Sequence, residues 1–309
     1  MGKCSRVLCL ALFAMIAAQR TDAQNFVRVH LTIEQYSAAG GVERLNSFPV
    51  TCVFGLNEWS IESSFLQNAR EFYFCDGTNV FRQVQLHNTN AVDSPNPPRL
   101  EIVSSPKDPQ IMVTPGRNPA GNRGVNLPWL AFCSASYLSS GEVLPLPGDE
   151  VRHFVQNFGY KAEISQFKDR LGLPKRIEFR ADSETLKKNS HHPLVFRSPD
   201  RPEAGNRKAI DQLESDGMVK AIYAVSLVTN FHGLSIPLEF TYTEFSERNP
   251  NTRVLERVAT GRVSEIAEAN PPQPLLRDGE RFQISDGRSR HKANFRKRVA
   301  ALPSRFKPR

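Results

Sequence analysis

The chain has 309 residues, 39% of them hydrophobic and 23% charged, with a formal net charge of +8. The charge is unevenly placed: residues 288–309 carry nine Lys and Arg and no acid, the first 23 residues carry +2, and the stretch between is left at −3. A slightly acidic body argues against a fold built for nucleic acid, and no stretch after the N-terminus approaches the ~18 apolar residues of a membrane-spanning helix.

The chain begins with the layout of an export signal. Lys3 and Arg6 precede the apolar run VLCLALFAMIAA, residues 7–18, and Thr21 and Ala23 occupy the −3 and −1 positions of a small-residue cleavage site. The expectation is a signal peptide over residues 1–23, cut after Ala23, and a secreted or periplasmic protein. Cys4 and Cys9 lie before or within the apolar run, not directly after it, which argues against lipid attachment. About 285 residues then remain, enough for one large β-rich domain or two small ones. Cys52, Cys75 and Cys133 survive cleavage; an odd, low count is not a disulfide framework. Two readings stay open, a Cys52–Cys75 bridge or three buried small hydrophobes.

Residues 33–45 suggest a short helix interrupted by Gly40 and Gly41. From Pro49 onward the pattern is strand-like. Residues 50–55 form a short strand, and residues 59–65 alternate, with Trp59, Ile61, Ser63 and Phe65 on one face. REFYFC, residues 70–75, is aromatic and β-prone. Asp76-Gly77-Thr78-Asn79 has turn chemistry, and residues 80–86 return as the next strand. Residues 88–126 are rich in Pro, Asn and Gly and read as an irregular excursion with one strand near residues 100–104.

Residues 127–138, LPWLAFCSASYL, are apolar on nearly every side. Pro128 suits a first helical turn, and a helix apolar most of the way round is a buried one. Beyond it, residues 160–167 and 175–181 read as a hairpin, and residues 182–217 as a polar loop. Residues 219–230 and 234–242 are strands turned by His232-Gly233. In the second of these, Leu234, Ile236, Leu238, Phe240 and Tyr242 face inward, and Pro237 demands an edge or a bulge. Residues 252–266 and 281–285 complete about ten strands. No period of about 20–50 residues repeats. Short connections favour antiparallel pairing. The expected fold is mainly β (α+β): one curved antiparallel sheet, or half-barrel, with one or two helices on its concave face, and a closed barrel as the alternative. The expected organisation is a single domain over residues 24–287 followed by a basic, disordered tail over residues 288–309.

No catalytic or metal motif is complete, and no cofactor is implied. Gly233-Leu234-Ser235-Ile236-Pro237 lacks the last Gly of a nucleophile elbow and lies between strands. His191 and His192 are adjacent, so in an extended chain they point to opposite sides, with no acidic or Cys partner at ligand spacing. Trp59, Phe72, Phe74, Trp129 and Phe132 are the candidate lining of an apolar ligand site.

A signal peptide, a many-stranded meander and an apolar helix between the strands resemble, in layout, the half-barrel of the LolA-like periplasmic lipoprotein carriers. The resemblance spans residues 50–285. It implies a curved sheet wrapped round helices, with a hydrophobic ligand such as a lipid between them, and it assigns no role to any residue. The first reading is thus an exported, non-enzymatic protein binding a lipid or other apolar small molecule. The second is a structural or envelope-interaction protein with a solid core, whose basic tail touches an anionic surface. The third is a hydrolase whose residues, such as Asp76, His87, His153 and His232, converge only in space.

Overall fold

A computed structural model describes residues 26–38, 42–65, 69–86, 110–115, 123–139, 160–184, 216–249, 252–276, 279, 281–286 and 293–298. The signal segment, residues 100–104, and His87, His153, His191 and His192 lie outside the described residues.

Thirteen strands form one sheet: β1 (Phe26–Ser37), β2 (Glu43–Phe54), β3 (Glu58–Ser63), β4 (Ala69–Asp76), β5 (Asn79–Leu86), β6 (Gln110–Pro115), β7 (Tyr160–Gln166), β8 (Pro174–Ala181), β9 (Val219–Phe231), β10 (Leu234–Asn249), β11 (Thr252–Ala269), β12 (Arg281–Asp286) and β13 (Ala293–Arg298). Their order is β13-β12-β6-β5-β4-β3-β2-β1-β11-β10-β9-β8-β7, so among the described residues β13 and β7 are the two edges and the sheet is a half-barrel, not a closed barrel. Among the described residues, two helices, α1 (Arg123–Phe132) and α2 (Ala135–Ser139), follow β6.

Several expectations change. Residues 33–45 hold no helix among the described residues: Val27, Val29, Leu31 and Ile33 alternate inward along β1, which pairs with β2 on one side and β11 on the other. The Pro-rich excursion contributes β6, which ends at Pro115, where a missing N–H group matters least. Pairing is antiparallel except for β12 on β6, which is parallel. The chain between those two strands is far longer than the dozen residues a parallel connection needs. Part of the tail expected to be disordered is β13, paired antiparallel to β12. Backbone pairing at a sheet edge needs no apolar side chains, and basic residues are what edge strands ordinarily carry.

Pro237 shows how a long strand tolerates a missing donor. β10 pairs with β9 from Leu234 onward, but its register with β11 begins only at Glu239. At Pro237 the strand is therefore locally an edge, and its register with β9 also slips between Pro237 and Glu239. Edge and bulge meet at one residue. At the β9–β10 turn, His232 and Gly233 both have positive φ, 51° and 79°, the geometry of a tight two-residue hairpin.

Two cores result. The larger lies on the inner face and gathers side chains from β1 to β5 and β8 to β11 round α1 and α2. The smaller lies on the opposite face of β4 and β5, where Phe72, Phe74, Phe81 and Ile111 pack with Leu276 and Phe282. Gln83 Nε2 fixes the covering segment there by donating to the Leu275 carbonyl at 2.7 Å.

Candidate functional site

The helix at the centre of the inner face starts earlier than its apolar run suggests. α1 begins at Arg123, so Pro128 lies inside it and removes the N–H that would reach the Gly124 carbonyl. The helix ends at Phe132, and Cys133 N still donates to the Trp129 carbonyl at 2.8 Å. Ser134 then breaks it. Its Oγ donates back to the Leu130 carbonyl at 2.7 Å, while its own carbonyl accepts from Tyr137 N and Leu138 N to open α2. The break lets the Tyr137 ring meet Trp129 edge-on at 5.5 Å. Residues 125–135 are all buried, with Trp129 at 2% and Phe132 at 1% exposure.

Phe132 measures the curvature of the sheet. Its ring stacks on Phe54 of β2 at 5.3 Å and meets Phe240 of β10 edge-on at 5.6 Å. In a flat sheet those strands, three spacings apart, would stand on the order of 14 Å from each other. The two phenylalanines are also offset along the strands, since Phe54 is level with Val27 while Phe240 is level with Gly261 and Ile33. One ring touches both only because the sheet curls round α1, which packs against β2, β3, β10 and β11. Gly261 makes this contact possible. A Cβ there would stand 2.2 Å from Phe240 Cζ, so the Phe240 ring lies across the glycine backbone.

The inner face is not uniformly apolar. Glu71 of β4 is wholly buried and ion-paired with Arg82 of β5, whose guanidinium lies 5.8 Å over the Tyr73 ring. Arg257 of β11 stands 3.6 Å from Glu244 of β10. Between that pair and Phe240 lies Tyr223 of β9, in register with Tyr242 on one side and Ile177 on the other. Tyr223 is 0% exposed, its ring is tilted 5.9 Å from Phe240, and its hydroxyl has no hydrogen-bond partner among the described residues. Burial pushes its phenol pKa up, so it stays protonated.

The five residues read as a ligand lining do not form one surface. Trp59, Trp129 and Phe132 share the inner core, whereas Phe72 and Phe74 lie in the core on the opposite face. The reason is the two-residue period of β4: Glu71, Tyr73 and Cys75 face inward, so their neighbours face outward. Phe54, Gly261 and Tyr223 belong to the site and were not singled out from sequence, and Phe240 was read only as an inward-facing strand residue. Gly261, alone within the strand-like run VATGRV, was the one available sign of a close approach.

Cys52, Cys75 and Cys133 are buried thiols, and the Cys52–Cys75 bridge does not form. The two strand cysteines lie on β2 and β4 with β3 between them, about two strand spacings apart and so beyond disulfide reach. Burial pushes the Cys52 and Cys133 thiols up, and for Cys133 the other two sulfurs add to the effect. Such thiols are packing groups, not nucleophiles. No group of three metal-ligating side chains stands together among the described residues.

Asp76 accepts from Thr78 N at 3.1 Å and Asn79 N at 2.9 Å, a turn residue in structure as in sequence. His232 lies 3.3 Å from Glu268 with both side chains more than half exposed. His30 Nδ1 is 2.9 Å from Thr51 Oγ1, joining two neighbouring strands. Ser264 Oγ lies beside His30 but donates to its backbone carbonyl at 3.1 Å. Ser235 N donates to Asp169 Oδ2 at 2.8 Å, a contact that ties β10 to the β7–β8 turn.

No protein-family model matches the sequence, and no curated protein matches it. Solved structures similar to it include a LolA superfamily protein from Nitrosomonas europaea, with TM-score 0.34 and 7% identity over 81% of this chain and 89% of that one. A second is a domain from Vibrio parahaemolyticus described as outer membrane lipoprotein-sorting, with TM-score 0.33 and 8% identity over 84% and 92%. A DUF1329 family protein from Desulfovibrio piger follows at TM-score 0.29 and 10% identity over 82% and 89%. No residue role is carried over from them.

Proposed function

We propose that this protein is an exported, non-enzymatic carrier that holds an acyl chain or another apolar ligand between the inner face of the half-barrel and α1. The observation that supports the reading is the construction of that face. Among the described residues the thirteen strands do not close on themselves, and the apolar inner surface is capped at its centre by a ten-residue helix, ~15 Å long by helical rise. Phe54, Trp59, Phe132 and Phe240 supply the aromatic surface an acyl chain would meet.

Native mass spectrometry of the gently purified protein, followed by titration with cis-parinaric acid, tests this. A co-purifying ligand and saturable probe fluorescence are expected. A protein with neither is a solid-core structural protein instead. That second reading is favoured by the near-complete burial of Trp59, Trp129 and Phe132. It places the function in contact with an anionic envelope surface through the basic C-terminal tail. Because β13 is paired to β12, the informative truncation removes residues 299–309 and leaves the sheet edge intact. Unchanged envelope association after that truncation takes the distal tail out of the account.

A further inference from the structure

We propose that the Tyr223 hydroxyl anchors the head of the bound ligand, donating a hydrogen bond to the carbonyl oxygen of a neutral acyl ester or amide. This deepens the carrier reading and rests on it. Buried hydroxyls are nearly always hydrogen-bonded, and one left without a partner by its own chain points to a partner from outside it. Tyr223 is completely buried, and its Oη has no partner among the described residues. A lone water is a poor substitute, because a buried water takes about two to four polar partners. Of the residues level with Tyr223 or next to it along the inner face, Ile177, Ala221 and Val225 are apolar, as is the contacting Phe240 ring. Only Tyr242 carries a polar atom.

The same surroundings select the chemistry of the head group. Among the described residues, the charges one step further along this part of the inner face are Glu244, level with Ala221, and Arg257, which stands 3.6 Å from it. They offset each other, so these residues present no uncompensated cation that would recruit a carboxylate or phosphate. A buried phenol that keeps its proton donates one hydrogen bond, which is what an ester or amide carbonyl accepts. The hydrocarbon chain would then run along Phe240 toward Phe132 and α1, since those rings already touch in that order.

The test compares two ligands matched in length, methyl laurate and n-tetradecane, as competitors of the fluorescent apolar probe N-phenyl-1-naphthylamine. Wild-type protein is expected to prefer the ester by about tenfold, the worth of one well-made hydrogen bond in a dry site. Tyr223→Phe should lose that preference and keep its affinity for tetradecane. The ligand-free Phe variant should be no less stable to urea than wild type, since it loses a hydroxyl that had no partner. Equal affinity of the wild type for ester and alkane, or an ester preference surviving in Tyr223→Phe, overturns the anchor while leaving the carrier reading standing. Failure of the probe to bind at all overturns the carrier reading and the anchor with it.

Discussion

The two faces of β4 and β5 carry two cores of different construction. On the inner face Tyr73, Cys75 and Val80 join a core that reaches from β5 round to β8 and closes on α1. On the other face Phe72, Phe74 and Phe81 join a local core covered by Leu275, Leu276 and Phe282. Both faces are buried, and both are lined by aromatic rings. They differ in how many independent elements meet. Phe132 is held between two strands on opposite sides of the bowl, whereas Phe74 and Phe81 stack at 5.0 Å on neighbouring strands. A central ring held from two sides reports on the curvature of the whole sheet, and a stacked pair on adjacent strands reports only on their hairpin.

The largest expected effect follows from that difference. Phe132→Ala removes contacts to β2 and β10 at once, and Phe→Ala in a core costs about 3–5 kcal/mol. We expect the upper end of that range in urea unfolding, because a rigid bowl cannot collapse onto the void. Phe282→Ala, equally buried, lies on a strand next to the sheet edge where the covering segment can settle inward. It should fall at or below the lower end and leave α1 protected from hydrogen exchange. Equal costs for the two substitutions would show that the cores are one cooperative unit. If Phe132→Ala also takes up more cis-parinaric acid than wild type, the space vacated by the ring is continuous with a ligand site.

A smaller change at the same place tests the close approach. Gly261→Ala puts a methyl group where the Phe240 ring lies, and overpacking of this kind costs about 1–3 kcal/mol. Pairing it with Phe240→Leu should recover part of the loss, giving a coupling energy of about 1 kcal/mol in a double-mutant cycle. Additive costs would mean that the ring moves aside freely and that Gly261 does not set its position.

Much of the fold was legible because a strand with one face in the core alternates. Trp59, Ile61 and Ser63, or Leu234, Ile236 and Phe240, display the inward set directly. Legibility failed where both faces are buried or where punctuation misleads. In REFYFC successive residues face opposite sides, Phe72 and Phe74 one core and Tyr73 and Cys75 the other, so the aromatic density that suggested one lining belongs to two. β6 was hidden by its bounding prolines, and β13 by its charge. The glycines at 40 and 41 drew attention from the alternation of β1 to a helix that is not there. The site itself is the least legible part. Phe54, Phe132 and Phe240 lie far apart in sequence and meet only through curvature, and the missing partner of Tyr223 Oη depends on what surrounds it in space.

The smallest expected effect is electrostatic and bears on one core only. Asp169 holds the β7–β8 turn, whose Leu171 and Leu173 pack into the inner core, against the start of β10. Its Oδ1 accepts from Leu171 N and Gly172 N, each at 3.0 Å, and its Oδ2 from Ser235 N. Burial opposes ionisation of the carboxyl, but the N–H donors of Ser235, Gly172 and Leu171 and the Ser235 hydroxyl outweigh it and hold its pKa below the ordinary carboxylate value. A carboxylate with a depressed folded-state pKa contributes stability that is present above its unfolded pKa, near 3.8, and is lost as pH falls through the lower folded value. Asp169→Asn has no such titration. The stability difference between wild type and Asp169→Asn should therefore be constant near neutral pH and shrink as pH drops below about 4. The outer core has a neutral counterpart, the Gln83 amide on the Leu275 carbonyl. Gln83→Leu should change stability by an amount independent of pH over the same range, and a pH-dependent difference there would mean that the acid response is global and not localised to the Asp169 turn.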